Sequence, residues 1–303
     1  MAGTVSTMRQ SVRSSLEAVM ERVLFACAGV PLLVTASIVV VLLAGSAPLF
    51  REIEPAEFLF GAAWAPLAAT PRYGVLPLAA GTLLVSALAL IVAVPAGLLA
   101  AVWLSEYAPP RARRVGRTAL DILAGVPTVV YGAAALLLLT PLLQRYLPGL
   151  PDLNALSAGI VMGIMILPMV SSLSEEALQR VPRGLREAAF ALGATRLQAT
   201  LRVVLPAARA GIAAAVVLAV ARAVGETMIV TLAAGRQPSL SANPLAPVET
   251  MTAQVVQIGL GGVTAGTPAW HAVFAVGLLL FAGTFGLNVA GTWLRSRGRE
   301  ERS

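Results

Sequence analysis

The chain has 303 residues, of which 57% are hydrophobic and only 12% charged, and its mean hydropathy is +0.82. A soluble domain carries about 25% charged residues, so half that share excludes a wetted globule of this size. All 22 basic residues are Arg and they sit between apolar runs, a pattern that argues for membrane orientation and against a nucleic-acid groove despite the net charge of +7.

A helix crossing a hydrocarbon core needs roughly 20 apolar residues. Six runs meet this need, at about 23–44, 75–104, 122–143, 156–173, 210–235 and 269–294. The reading is an all-α membrane protein with six transmembrane helices. It comprises a cytoplasmic amino-terminal segment 1–22, a transmembrane domain 23–294 containing a cytoplasmic loop 174–207, and a tail 295–303. Residues 8–21 read as an amphipathic lead-in. Run one is longer than the 7–15 residues of a signal-peptide core, so it reads as a retained span. Cys27 lies inside it and offers no disulfide framework.

Run two is too long for a perpendicular crossing and carries Pro77 and Pro95, which predicts a tilted or broken helix. At its far end Glu106 and Tyr107 are expected to contact neighbouring loops. Asp121 is placed to cap the third span. Ser171 and Ser172 have no adjacent base to make a nucleophile, and His271, beside Trp270, has no metal-ligand partners and reads as an interfacial anchor. Apart from Arg222, 17 arginines fall on the side of the termini and of the loops after runs two and four, against four on the other. This puts both termini in the cytoplasm. Trp64, Trp103, Trp270 and Trp293 flank the runs as an aromatic belt would.

Loop 174–207 places Leu185, Ala189, Leu192 and Thr195 or Arg196 at helical spacing, which predicts a short amphipathic helix that rests on lipid or docks on protein. Gly193 would allow close approach of another backbone. In the fifth run Arg222 and Glu226 lie four apart, on one helix face. An unpaired Arg at mid-bilayer costs about 2.5–3.5 kcal/mol on insertion scales, and Arg before Glu is the poorer order for helix stability. Two readings stand: a salt bridge joining helices, or an anion pathway in which Arg222 grips a tetrahedral oxyanion and Glu226 holds it when no anion is present.

Glu187-Ala188-Ala189, then Gly193, Val203 and Leu205-Pro206, resemble the EAA loop of ABC-importer permeases, with Val203 where Ile is usual. The resemblance implies a coupling helix seated on a separate ATPase, with Glu187, Ala188, Ala189, Gly193, Leu205 and Pro206 as coupling positions. The chain has no Lys and hence no P-loop, so any ATP hydrolysis would belong to another subunit and this chain would not be an enzyme. Ala221-Arg222-Ala223-Val224-Gly225-Glu226 resembles oxyanion-importer permeases, molybdate and sulfate systems included. Gly225-Glu226-Thr227-Met228 with Val230-Thr231 and Ala234-Gly235 is similar to phosphate-importer permeases of the PstC type. So are Leu104-Ser105-Glu106-Tyr107-Ala108-Pro109, the stretch from Gly125-Val126-Pro127 to Tyr131-Gly132, and Phe58-Leu59-Phe60-Gly61 with Trp64 and Pro66, although Ala65 stands where an Asp is expected.

By that resemblance the substrate pathway runs past Arg222, Glu226 and Thr227. The partners would be a PstA-type second permease, two PstB-type ATPases and a PstS-type periplasmic phosphate-binding protein, in the bacterial inner membrane. No cofactor is implied. A secondary transporter is the weaker alternative, because no internal repeat is visible and it has no use for the coupling loop. An intramembrane enzyme would need paired catalytic groups at one depth.

Overall fold

The computed structural model describes the backbone of residues 2–261 and 263–300, and side chains from 20 to 293 except 262. The chain is a helical bundle. Its one sheet among the described residues is a two-residue ladder, Trp64–Ala65 against Arg72–Tyr73.

Helix α1 (Ala2–Ser46) carries the first apolar run, and Cys27 is exposed on it rather than packed. The expected lead-in 8–21 continues the same helix in its backbone; its side chains through residue 19, like those of the tail 295–303, lie outside the described residues. Helix α2 (Leu76–Val102) is continuous: Pro77 sits in its first turn, where a missing N–H is harmless, and Pro95 is accommodated inside. A π-helical turn, Trp103–Tyr107, ends it.

The third run is not one helix starting near 122. Helix α3 (Pro110–Gly125) is amphipathic and meets α4 (Thr128–Gln144) at an 88° bend. Pro127 disfavours helical backbone at Val126, which is extended (φ −71°, ψ 128°). Asp121 therefore lies within α3 and caps nothing; α3 begins after Pro109. Helix α5 (Ala155–Gln179) opens on an Asn154 side chain that accepts from the Ser157 N–H at 2.7 Å. After α6 (Arg183–Ala191), helix α7 (Leu205–Val224) ends where the fifth run was expected to continue. The chain breaks at Gly225–Thr227 and resumes as the short α8 (Met228–Ala233). A further helix, α9 (Met251–Leu260), precedes α10 (Pro268–Glu300). Among the described residues, five helices are long and apolar enough to span a bilayer, and the bent α3–α4 pair makes a sixth span if counted as one.

The centre of the bundle is the α2–α5 pair. Apolar surface gains nothing by leaving lipid for another helix, so small residues that let backbones approach carry this contact. A Cβ added to Gly163 would meet the Ala89 carbonyl at 2.7 Å, and one on Gly159 would meet Leu88 Cβ at 2.5 Å. Ala89, Ala93, Ala158, Met162 and Ile166 fill the seam. Helix α7 packs on α5 and α10, whereas α1 touches the bundle through α10. His271 on α10 joins that contact, its Nδ1 lying 2.8 Å from the Gly45 carbonyl at the end of α1.

Candidate functional site: a helix break with a cavity, joined to an exposed turn

Arg222 lies in the last turn of α7, where its Nη2 approaches Met165 Sδ of α5 at 3.8 Å. Glu226 stands in the break just beyond. Its Oε1 accepts the N–H groups of Met228 (3.1 Å) and Ile229 (3.4 Å), the free donors that open α8. Its Oε2 faces Arg222 Nη2 at 3.4 Å. Its main-chain carbonyl accepts the Thr252 hydroxyl at 2.6 Å. The carboxylate is thus held from three sides and its side chain is 2% exposed, whereas that of Arg222 is 43% exposed. Thr227 belongs to the same break: its carbonyl accepts the Thr231 hydroxyl at 2.6 Å and its own hydroxyl donates to Gly225.

The exposed face of Arg222 borders a cavity of about 230 Å³ under the α3–α4 bend, shared with Asp121, Thr128, Met165, Pro168 and Ser172. A guanidinium stays charged in any surroundings and offers parallel donors to a tetrahedral oxyanion. Arg222 and Glu226 therefore come together as the spacing predicts, on a helix end rather than mid-helix. The break adds what the spacing does not reveal, the backbone donors that hold Glu226.

The expected coupling residues gather at the other end of α7. Helix α6 carries Glu187 and Ala188 exposed and Ala189 buried. Gly193 has φ +81°, and the adjacent N–H groups of Gly193 and Ala194 close the helix onto Phe190 and Ala189. Nothing lies within 4 Å of a Cβ added there, so the left-handed turn, not close approach, requires glycine. Thr195 and Gln198 form a capping box, a signal present in the sequence as Thr-x-x-Gln. Pro206 then sits in the first turn of α7 after Leu205. Leu185, Phe190, Leu192 and Leu197 are exposed around this turn, Leu192 by 89%.

One ion pair fastens the segment to the bundle and a second ties α3 to α5, and sequence reasoning missed both. Arg186 of α6 donates to Glu106 at 2.8 and 3.2 Å, and also to the Val181 and Leu178 carbonyls. Arg117 of α3 meets Glu175 of α5 at 2.6 Å. Partners 80 and 58 residues apart leave no local pattern. Glu106 does contact a neighbouring loop as expected.

Solved structures with this architecture include ABC transporters. An alginate transporter matches 88% of this chain and 94% of its own at TM-score 0.58 and 18% identity. The inward-facing MetNI methionine transporter matches 74% of this chain and 94% of its own at 0.54 and 20%. Among sequence relatives, the phosphate transport system permease protein PstC of Mesorhizobium japonicum is 36% identical over 76% of this chain and 75% of its own length. The probable ABC transporter permease protein YqgH of Bacillus subtilis is 34% identical over 82% and 80%. Residues 93–299 match the family described as binding-protein-dependent transport system inner membrane component, and with its fold and its relatives the chain belongs to that family.

Proposed function

We propose that this chain is the permease subunit of an ATP-driven importer of inorganic phosphate, with Arg222, Glu226 and Thr227 on the substrate pathway. The observation that carries the reading is Arg222, charged and half exposed on a cavity, tethered to a buried Glu226 at the end of a helix whose other end carries the coupling turn. An anion that engages the guanidinium takes the place of Glu226, whose carboxylate keeps its two backbone donors while it waits. Relatives named as phosphate transport permeases support phosphate among the tetrahedral oxyanions. The guanidinium by itself suits molybdate or sulfate equally, which keeps those anions as the second reading.

The exposed turn with Glu187, Ala188 and Gly193, rimmed by Leu185, Phe190 and Leu192, would seat on a separate ATPase, two PstB-type copies serving this chain and a PstA-type second permease. ATP would be hydrolysed there and not on this chain. A PstS-type binding protein would deliver the anion at the opposite, periplasmic end. In this orientation the arginine-rich end and both termini face the cytoplasm. The test is radiolabelled phosphate uptake into proteoliposomes containing the whole assembly, with and without ATP and binding protein. Uptake should require both. Arg222→Gln, assembled to the wild-type level, should lose at least tenfold in rate; an unchanged rate removes Arg222 from the pathway, and no uptake by wild type removes phosphate.

A further inference from the structure

At the end of the bundle away from the coupling turn, a second buried carboxylate remains unused by the pathway above. Glu249 lies in the loop before α9 and is 3% exposed. Its backbone packs so tightly on α2 that a Cβ on Gly81 would collide with the Glu249 carbonyl. With its amide oriented to satisfy both ends, Gln254 donates to the carboxylate and accepts the Trp64 indole N–H at 3.3 Å. Unlike Glu226, the carboxylate receives no backbone N–H among the described residues.

Two cavities border Glu249. One, of about 390 Å³, runs under Trp64, Pro66 and Leu67; the other, of about 270 Å³, is lined by Thr231, Arg236, Gln257 and Leu260. Arg236 is exposed and is the charge that acts on Glu249. The surroundings bring few others. Helices α2, α8 and α9 contain no titratable residue, and the Trp64 ladder adds Arg72 and Tyr73, whose hydroxyl burial pushes up. Burial raises the Glu249 carboxyl to about 7, with Arg236 opposing.

The second cavity therefore holds one cation, one hydroxyl, one amide and one carboxylate within a single small volume. We propose that it is an outer binding station for a tetrahedral oxyanion that carries an acidic hydrogen, with Arg236 holding the charged oxygens and Glu249 accepting the anion's O–H. Gln257 supplies a neutral donor, the Thr231 hydroxyl hydrogen being committed to the Thr227 carbonyl. The chemistry is selective. An ionised Glu249 accepts a hydrogen bond from phosphate, which keeps at least one O–H at pH 8, but faces only lone pairs in sulfate and repels it. Thr231 lies on α8, which begins just beyond Glu226, so a bound anion would wait one short helix away from Arg222. The inference rests on the importer reading and adds a station and a selectivity to it.

The test is equilibrium binding of radiolabelled inorganic phosphate to the whole importer in nanodiscs at pH 8, without binding protein, in an Arg222→Gln background. Adding Arg236→Gln should weaken the remaining binding about 10- to 100-fold, the range for losing a hydrogen bond to a charged group. Gln257→Leu, whose side chain makes no hydrogen bond among the described residues, should weaken it about threefold. Glu249→Gln should let sulfate compete about tenfold better against phosphate. Binding unmoved by Arg236→Gln and Gln257→Leu, no phosphate binding at all in the Arg222→Gln background, or an unchanged phosphate-to-sulfate preference in Glu249→Gln would overturn the station. ATP-dependent phosphate uptake by wild type separates these failures from failure of the importer reading.

Discussion

Glu226 and Glu249 are equally buried, at 3% exposure each, but the bundle treats them differently. Glu226 sits where a helix begins again, so the break that exposes backbone donors also supplies the carboxylate's partners, and Arg222 completes the set. Glu249 sits in an extended loop with a side-chain amide and a more distant arginine. A buried charge is held by the donors around it, not by burial itself. The first glutamate is thus built into the backbone path, whereas the second is a group that neutral pH can switch.

The largest effect should come from Glu226→Ala, which leaves the donors of Met228 and Ile229 and the Arg222 charge without their acceptor. Leaving two backbone donors unmet in this way costs about 1–3 kcal/mol for each, to be read as a lower unfolding midpoint of the assembly in nanodiscs. A midpoint no lower than that of Glu249→Ala would erase the distinction. Next, Gln254→Leu should cost about 1–3 kcal/mol by leaving both Glu249 and the Trp64 indole unmet; a change in Trp fluorescence would report the second loss.

The pH dependence sharpens the contrast. Glu249 has a folded value raised to about 7 from an ordinary 4.5, so its proton favours the folded state. That contribution is complete below about pH 4.5 and is lost as pH rises through 7. Thermal midpoints should therefore fall between pH 5 and 8 in wild type and fall less in Glu249→Gln. Identical slopes would mean that Glu249 stays ionised throughout. The smallest effect should come from Thr252→Val, which deletes the hydroxyl that α9 donates to the Glu226 carbonyl. It should cost about 1 kcal/mol, measured by the same unfolding assay.

Hydropathy made the spans legible because lipid imposes a length on every crossing. It could not show where the fifth run stops being a helix. Residues 228–235 are as apolar as those before them, so the break at Gly225–Thr227 hides inside a continuous apolar signal. The third run failed for a related reason: 122–143 is apolar throughout, and only Pro127 marks the 88° bend. In the site, the spacing of Arg222 and Glu226 was enough to place them together, and the motif was enough to mark the turn at Gly193. Glu249 was invisible. It is one acid in a Pro- and Ser-rich stretch, and its burial is imposed by Gly81, far away in the chain.

The unbroken run of α7 has a mechanical consequence. From Leu205 to Arg222 the helix spans about 26 Å at 1.5 Å per residue. Tilting such a strut by about 10° at its coupling end would sweep its tip through roughly 4–5 Å. That arc exceeds the 3.4 Å between the guanidinium and Glu226. Glu226 itself is moored to α8 and to Thr252 on α9, so it would lag behind. A small rocking at one end of the rod would thus be amplified into the opening of an ion pair at the other.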